Sequence, residues 1–196
     1  MNERDQHLQS LAEIRQMMER SSKVLTLSGL SGVSAGLVAL AGVLAALWIQ
    51  SRFSSDQLVM AFAADAVCVL VLALVLAAAF SARMARKKNL PVWTATTNHL
   101  LLDLAVPLGA GGVFCLALMN ARIYALIPGT MLMFYGLALV SGSKYALKEI
   151  RYFGMTQLAL GCVALFASGQ ELTLWAIGFG AMHIAYGVWM YVRYEK

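Results

Sequence analysis

The sequence predicts an all-α polytopic membrane protein: six transmembrane helices arranged as three hairpins, preceded by an N-terminal amphipathic helix. Three observations carry this. Of the 196 residues, 60% are hydrophobic and only 13% are charged, about half the charge of a soluble domain. The apolar residues come in runs of about 20, the length that crosses about 30 Å of hydrocarbon as a helix. Lys and Arg fall on alternate loops, as they do when every second loop stays in the cytoplasm. Alternating, barrel-like segments are absent, and helices satisfy their own backbone hydrogen bonds in lipid.

The chain opens with MNERDQHLQSLAEIRQMMERSSK, a charged segment 1–23 without the apolar core and small-residue cleavage site of a signal peptide. Leu8, Leu11, Ile14 and Met18 recur at three and four, predicting an amphipathic helix over 3–22. It lies on the membrane surface, pairs with a copy of itself, or simply feeds the first span. Residues 24–196 then form one six-helix domain. The first span, 24–49, carries Ser28, Gly32 and Gly36 four apart. This small-residue surface lets another helix approach closely, whether from the same chain or from a second copy in a homo-oligomer.

The loop SRFSSDQ leads to the second span, 58–80, with Asp65 in its first third. The basic loop ARMARKKNLPVW follows, where Asn89 is a candidate cap and Pro91 suits the first turn of a helix. Trp93 fits the interfacial belt. The third span, 99–119, is entered through the polar stretch TATTNH, and the fourth, 123–140, holds Pro128, Gly129 and Tyr135. After SGSKYALKEIRYFG comes the fifth span, 152–166, and after SGQE the sixth, 172–192, with His183 and Tyr186.

Orientation follows from the cations. Arg4, Arg15, Arg20 and Lys23 precede the first span, and Arg83, Arg86, Lys87 and Lys88 separate the second from the third. Lys144, Lys148 and Arg151 separate the fourth from the fifth, and Arg193 and Lys196 follow the sixth. Only Arg52 and Arg122 lie in the alternate loops, so both termini are expected in the cytoplasm. The pI of about 9.3 then reflects topology and anionic headgroups. No folded soluble domain remains to house a nucleic-acid site. Cys68, Cys115 and Cys162 all fall in apolar segments, where Cys is a small hydrophobe, and no disulfide framework is expected. The second and third hairpins resemble each other at an offset of 51, with Tyr135-Gly136 on Tyr186-Gly187 and Gly129 on Gly180. Internal repeats of this kind occur in transporter folds.

Asp103 is the leading site candidate, because an acid in hydrocarbon needs a cavity or a partner. His99 stands four residues earlier on the same helical face, within reach of a His–Asp hydrogen bond, and Asn98 is adjacent. Pro107 is a helix breaker that cannot donate to the carbonyl of Asp103, leaving that oxygen free beside the carboxylate. Together these could bind a small ligand or cation, or relay a proton, in a cytoplasm-facing pocket whose deeper wall is His183 and Tyr186. The opposing reading is that Asp103, about 5 Å inside the boundary, reaches water or caps a neighbouring helix.

His183 shares a face with Gly180 and Gly187 by spacing, which equally suits a structural hydrogen bond between helices. A di-histidine haem site is disfavoured, since His183 is about 14 Å deep and His99 is near the surface. Neither H-x-x-x-H, paired cysteines nor a phosphate loop is present, so no metal or cofactor is expected. Asp65 enters from the outer side, away from Asp103, and the 11 Met are scattered. Topology accounts for Lys144, Lys148 and Arg151, although the loop with Glu149 and Arg151 could contact a headgroup.

Two stretches, IRQMMERSSKVLTLSGLSGV and GFGAMHIAYGVWMYVRYEK, resemble an uncharacterised family of small bacterial six-span membrane proteins. The resemblance implies an integral location in the bacterial inner membrane and no activity or substrate. Small-molecule or ion binding and transport is the first functional expectation. A membrane sensor or scaffold acting through helix and protein partners is the second. A lipid enzyme is least favoured, because no loop offers an acid–base pair or a nucleophile with its base.

Overall fold

The computed structural model describes residues 28–89, 91 and 93–196; the expected amphipathic helix lies outside them. The described residues are helical, without strands. Among the described residues five helices are long and apolar enough to cross a membrane.

α1 is Gly29–Arg52, and the Ser28 hydroxyl accepts from the Leu30 N–H at its start. α2 is Ser55–Lys87, 33 residues or about 50 Å, well beyond a hydrocarbon core. The excess lies at the basic end: Arg83, Arg86 and Lys87, expected in a loop, are helical. Ala, Met, Arg and Lys are all good helix formers, so nothing stops the helix before Asn89. Asn89, with φ 51°, takes the left-handed conformation that ends helices. It therefore closes α2 and does not cap the next helix.

That cap is Thr94, whose hydroxyl accepts from the Thr97 N–H at 3.1 Å at the start of α3, Ala95–Asn120. α3 runs through Pro107 without interruption. Proline removes a single backbone donor, and the remaining ladder and the packing on α4 carry the helix across it.

A 3₁₀ turn, Tyr124–Leu126, leads into α4, Ile127–Gly142, with Pro128 in the first turn. α5 is Lys148–Phe166, and its apolar part begins only after Arg151. It is not among the five apolar spans. α6 runs over Glu171–Tyr194 and contains a π turn, Ala176–Met182.

The packing departs from three equal hairpins. α1 lies against α2 and α6, and α4 against α3 and α5. The broadest contact of α5 is with α4, whereas α6 lies mainly along α1 and meets α4 and α5 chiefly through its first half. Glycine explains the choice. In α4 and α5, Gly136 faces Gly154 and Gly129 faces Gly161; a Cβ on Gly136 would lie 2.5 Å from the Leu158 nitrogen. In α1 and α6, Gly29 and Gly32 face Gly187, and Gly36 faces Gly180; a Cβ on Gly187 would lie 2.5 Å from the Val33 nitrogen. Both pairs bring backbone against backbone, the contact that holds helices together where hydrocarbon offers no hydrophobic drive.

The ends of the bundle meet. Glu195, just past α6, accepts from the Ser28 hydroxyl at 3.2 Å and from the Gly29 N–H. A carboxylate there satisfies an orphan donor and complements the positive end of the α1 dipole.

Candidate functional site

The most enclosed polar cluster lies where α4, α5 and the π turn of α6 converge. Burial there leaves each polar atom dependent on a protein partner. His183 is buried, Gln157 is fully buried, and Tyr135 on α4 reaches them from the side. The Tyr135 hydroxyl lies 2.7 Å from His183 Nε2, and His183 Nδ1 lies 3.0 Å from the Gly178 carbonyl oxygen. A carbonyl only accepts, so Nδ1 carries the proton and Nε2 accepts from the Tyr135 hydroxyl. Gln157 Nε2 donates to the same Gly178 oxygen at 2.7 Å. Its 3.5 Å approach to His183 Nδ1 sets two donors side by side and bonds neither.

The π turn makes this possible. Gly178 and His183 are five residues apart and would sit about 140° apart on an α-helix. The wider π turn brings carbonyl and imidazole to one side, and such turns concentrate at functional positions. It also shifts the register between Gly180 and His183. Gly180 and Gly187 face α1 while the His183 ring faces α4 and α5, so the glycine face assigned to His183 by spacing is divided in the structure. Gly178 has no room for a side chain: a Cβ would crowd Leu132 and lie 2.8 Å from Gln157 Oε1.

Aromatic rings close the rest. Phe153 meets the His183 ring edge-on at 4.8 Å, Phe179 stacks on it at 5.7 Å, and Tyr135 is tilted beside it at 5.2 Å. Among the described residues two buried side-chain polar atoms have no hydrogen-bond partner, Gln157 Oε1 and the Tyr186 hydroxyl. Tyr186 stacks flat on Phe153 at 4.5 Å.

No protein-family model, curated protein or solved structure matches the chain. Its chemistry therefore has to be read from its own residues.

The other candidates lie elsewhere. Asp103 faces Lys144, with Oδ2 3.9 Å from Nζ and the two side chains 31% and 72% exposed. At that exposure the pair contributes little to stability. His99 is exposed and stacks on Tyr145 at 5.7 Å. Among the described residues no hydrogen bond joins His99 to Asp103. Asn98 is exposed, with its backbone N–H on the Thr94 carbonyl. Leu100, Ala146 and Ile150 form a buried apolar cluster against which Leu104, Tyr145 and Tyr186 pack. Among the described residues no hydrogen bond or ring contact joins His99 or Asp103 to His183, whose polar contacts are with Tyr135 and Gly178. Ser28 caps α1 and contacts Glu195, while Gly32 and Gly36 pack on α6 of the same chain.

Sequence reasoning missed two members of the cluster. Gln157 left a signal, a primary amide inside an apolar run, which needs a partner as surely as a histidine does. Tyr135 left only its hydroxyl. Its pairing with His183 depends on which helices are neighbours, and spacing within one helix does not encode that.

Proposed function

We propose that the protein is a six-span integral membrane protein of the bacterial inner membrane, with both termini cytoplasmic. It works as a membrane-embedded scaffold or sensor, through helix and lipid contacts rather than by passing a solute. The observation that carries this reading is the full engagement of His183: Nε2 is spent on Tyr135, Nδ1 on Gly178, and the ring is enclosed by Tyr135, Phe153 and Phe179. A solute path needs polar groups with unused bonding capacity facing a common space. The deep histidine instead holds three helices together. Asp103 and His99, turned to Lys144 and Tyr145, support the same reading.

Counting α5 as a span rests on its length of 19 residues and its close packing on α4. The cytoplasmic assignment rests on the distribution of Lys and Arg. The bacterial inner membrane rests on the resemblance of the two terminal stretches.

A second reading, binding of a small polar ligand or cation, has one observation in its favour. Gln157 Oε1 and the Tyr186 hydroxyl are buried without partners, and such atoms cost about 1–3 kcal/mol each unless something meets them.

Reconstituted vesicles separate the two. With an entrapped pH dye and an imposed potassium gradient, proton and cation flux should match that of protein-free vesicles, for the native chain and for His183→Phe alike. Flux above that baseline, removed by Asp103→Asn or His183→Phe, would overturn the scaffold reading and favour transport.

A further inference from the structure

The turn between α4 and α5 carries a second feature that the buried cluster does not use. A cleft of about 570 Å³ opens there, lined by Ser143, Lys144, Lys148, Arg151, Tyr152 and Met155. Residues 148, 151, 152 and 155 fall on one stripe of α5, at the three- and four-residue spacing that aligns side chains along a helix. The stripe is cationic in the first turn and apolar one turn deeper, where Tyr152 is 68% and Met155 is 51% exposed.

The electrostatics of this turn are unbalanced. Lys148 and Arg151 are exposed and have no anionic partner among the described residues. They sit at the N-terminal, positive end of α5, where cations are disfavoured and anions stabilised. The N-cap, Leu147, supplies no side-chain acceptor. Two acids are nearby, and neither faces these cations. Glu149 accepts from the Tyr194 hydroxyl at 2.7 Å, on the side towards α6. Asp103 approaches Lys144 alone, at 3.9 Å. Three like charges and a helix dipole around one cleft call for an anion. The apolar lip below them calls for that anion to carry a hydrocarbon chain.

We infer that this cleft binds one anionic phospholipid. Its phosphate sits among Lys144, Lys148 and Arg151, and an acyl chain runs along Tyr152 and Met155. The inference rests on the chain being membrane-embedded and does not depend on the scaffold reading. Phosphate held by a point-charge Lys pair and a bidentate Arg fits the donor set, and basic pockets between membrane helices take such headgroups.

The test uses the full-length protein extracted from membranes in a mild detergent. Phosphatidylglycerol and phosphatidylcholine are titrated separately, and bound lipid is read by native mass spectrometry. One phosphatidylglycerol should be retained in preference to phosphatidylcholine. Lys148→Gln and Arg151→Gln should each weaken it about fivefold, and the double variant about twenty-five-fold. Both side chains are exposed, so the fold is retained. Arg193→Gln, which removes a cation stacked on Trp189 outside the cleft, should leave binding unchanged.

Equal binding of both lipids, or unchanged binding in the double variant, would overturn the proposal. Displacement of phosphatidylglycerol by equimolar inorganic phosphate would overturn the lipid in favour of a free phosphate. Recovery of the chain in the soluble fraction, before any lipid is added, would overturn the membrane reading itself.

Discussion

At the scale of single residues, the molecule is governed by the cost of polar atoms in an apolar interior. His183 stood out in the sequence for that reason, and its partners were hidden for an equally physical one. A hydrogen bond between Tyr135 and His183 joins residues 48 apart, and only the helix order brings them together. The same cost makes the bond measurable. Tyr135→Phe keeps the ring and its contacts with Phe179 and His183 but leaves His183 Nε2 buried without a donor. Thermal or denaturant unfolding in detergent should show a loss of about 1–3 kcal/mol. Tyr135→Phe combined with His183→Phe should cost less than the sum of the two single changes, because the orphaned nitrogen is then gone. Strict additivity would mean that the Tyr135 hydroxyl and His183 do not interact. Asp103 carried the strongest sequence signal and a weaker structural role. Its carboxylate is partly exposed and meets Lys144 at 3.9 Å.

At the scale of helices, glycine spacing was the legible part. The stripe of Ser28, Gly32 and Gly36 marked α1 as a packing helix, and Gly32 and Gly36 lie on α6. The same seven-residue interval recurs in both tight pairs: Gly29 and Gly36 against Gly187 and Gly180, and Gly129 and Gly136 against Gly161 and Gly154. The offset of 51 that aligns Gly129 and Gly136 with Gly180 and Gly187 is thus an alignment of two packing faces. The π turn was not legible, since its residues, AIGFGAM, differ in no composition from an ordinary apolar helix. Glycines at the contacts and glycines away from them should respond oppositely to substitution. Gly136→Leu must displace the Leu158 and Gly154 backbone and should abolish folding or lower the melting temperature sharply. Gly109→Ala meets nothing within 4 Å and should be neutral or stabilising by up to about 1 kcal/mol, since Ala is the better helix former. Equal effects of the two would remove glycine packing as the organising force of the bundle.

For the whole molecule, the contact of Glu195 with Ser28 and Gly29 is the decisive observation. It sets the beginning of α1 and the end of α6 on one side of the bundle, which supports the proposed even number of crossings between them. Among the described residues five helices are long and apolar enough to cross a membrane; on the six-span reading proposed above, α5 supplies the sixth crossing despite the three charged residues in its first turn. The proposed cytoplasmic side follows charge: thirteen of the fifteen Lys and Arg lie before α1, at the α2–α3 and α4–α5 junctions with their adjoining helix ends, or at the end of α6, and such residues favour the cytoplasm. The left-handed turn at Gly169, with φ 82°, lies at the opposite end, between α5 and α6. In a chain with its three native cysteines replaced, a single cysteine at Gly169 should react with a membrane-impermeant maleimide added outside intact cells. A single cysteine at Lys196 should react only after the membrane is opened. Labelling of both from the same side would mean that α6 does not cross, and the Glu195 contact would then have to form without it.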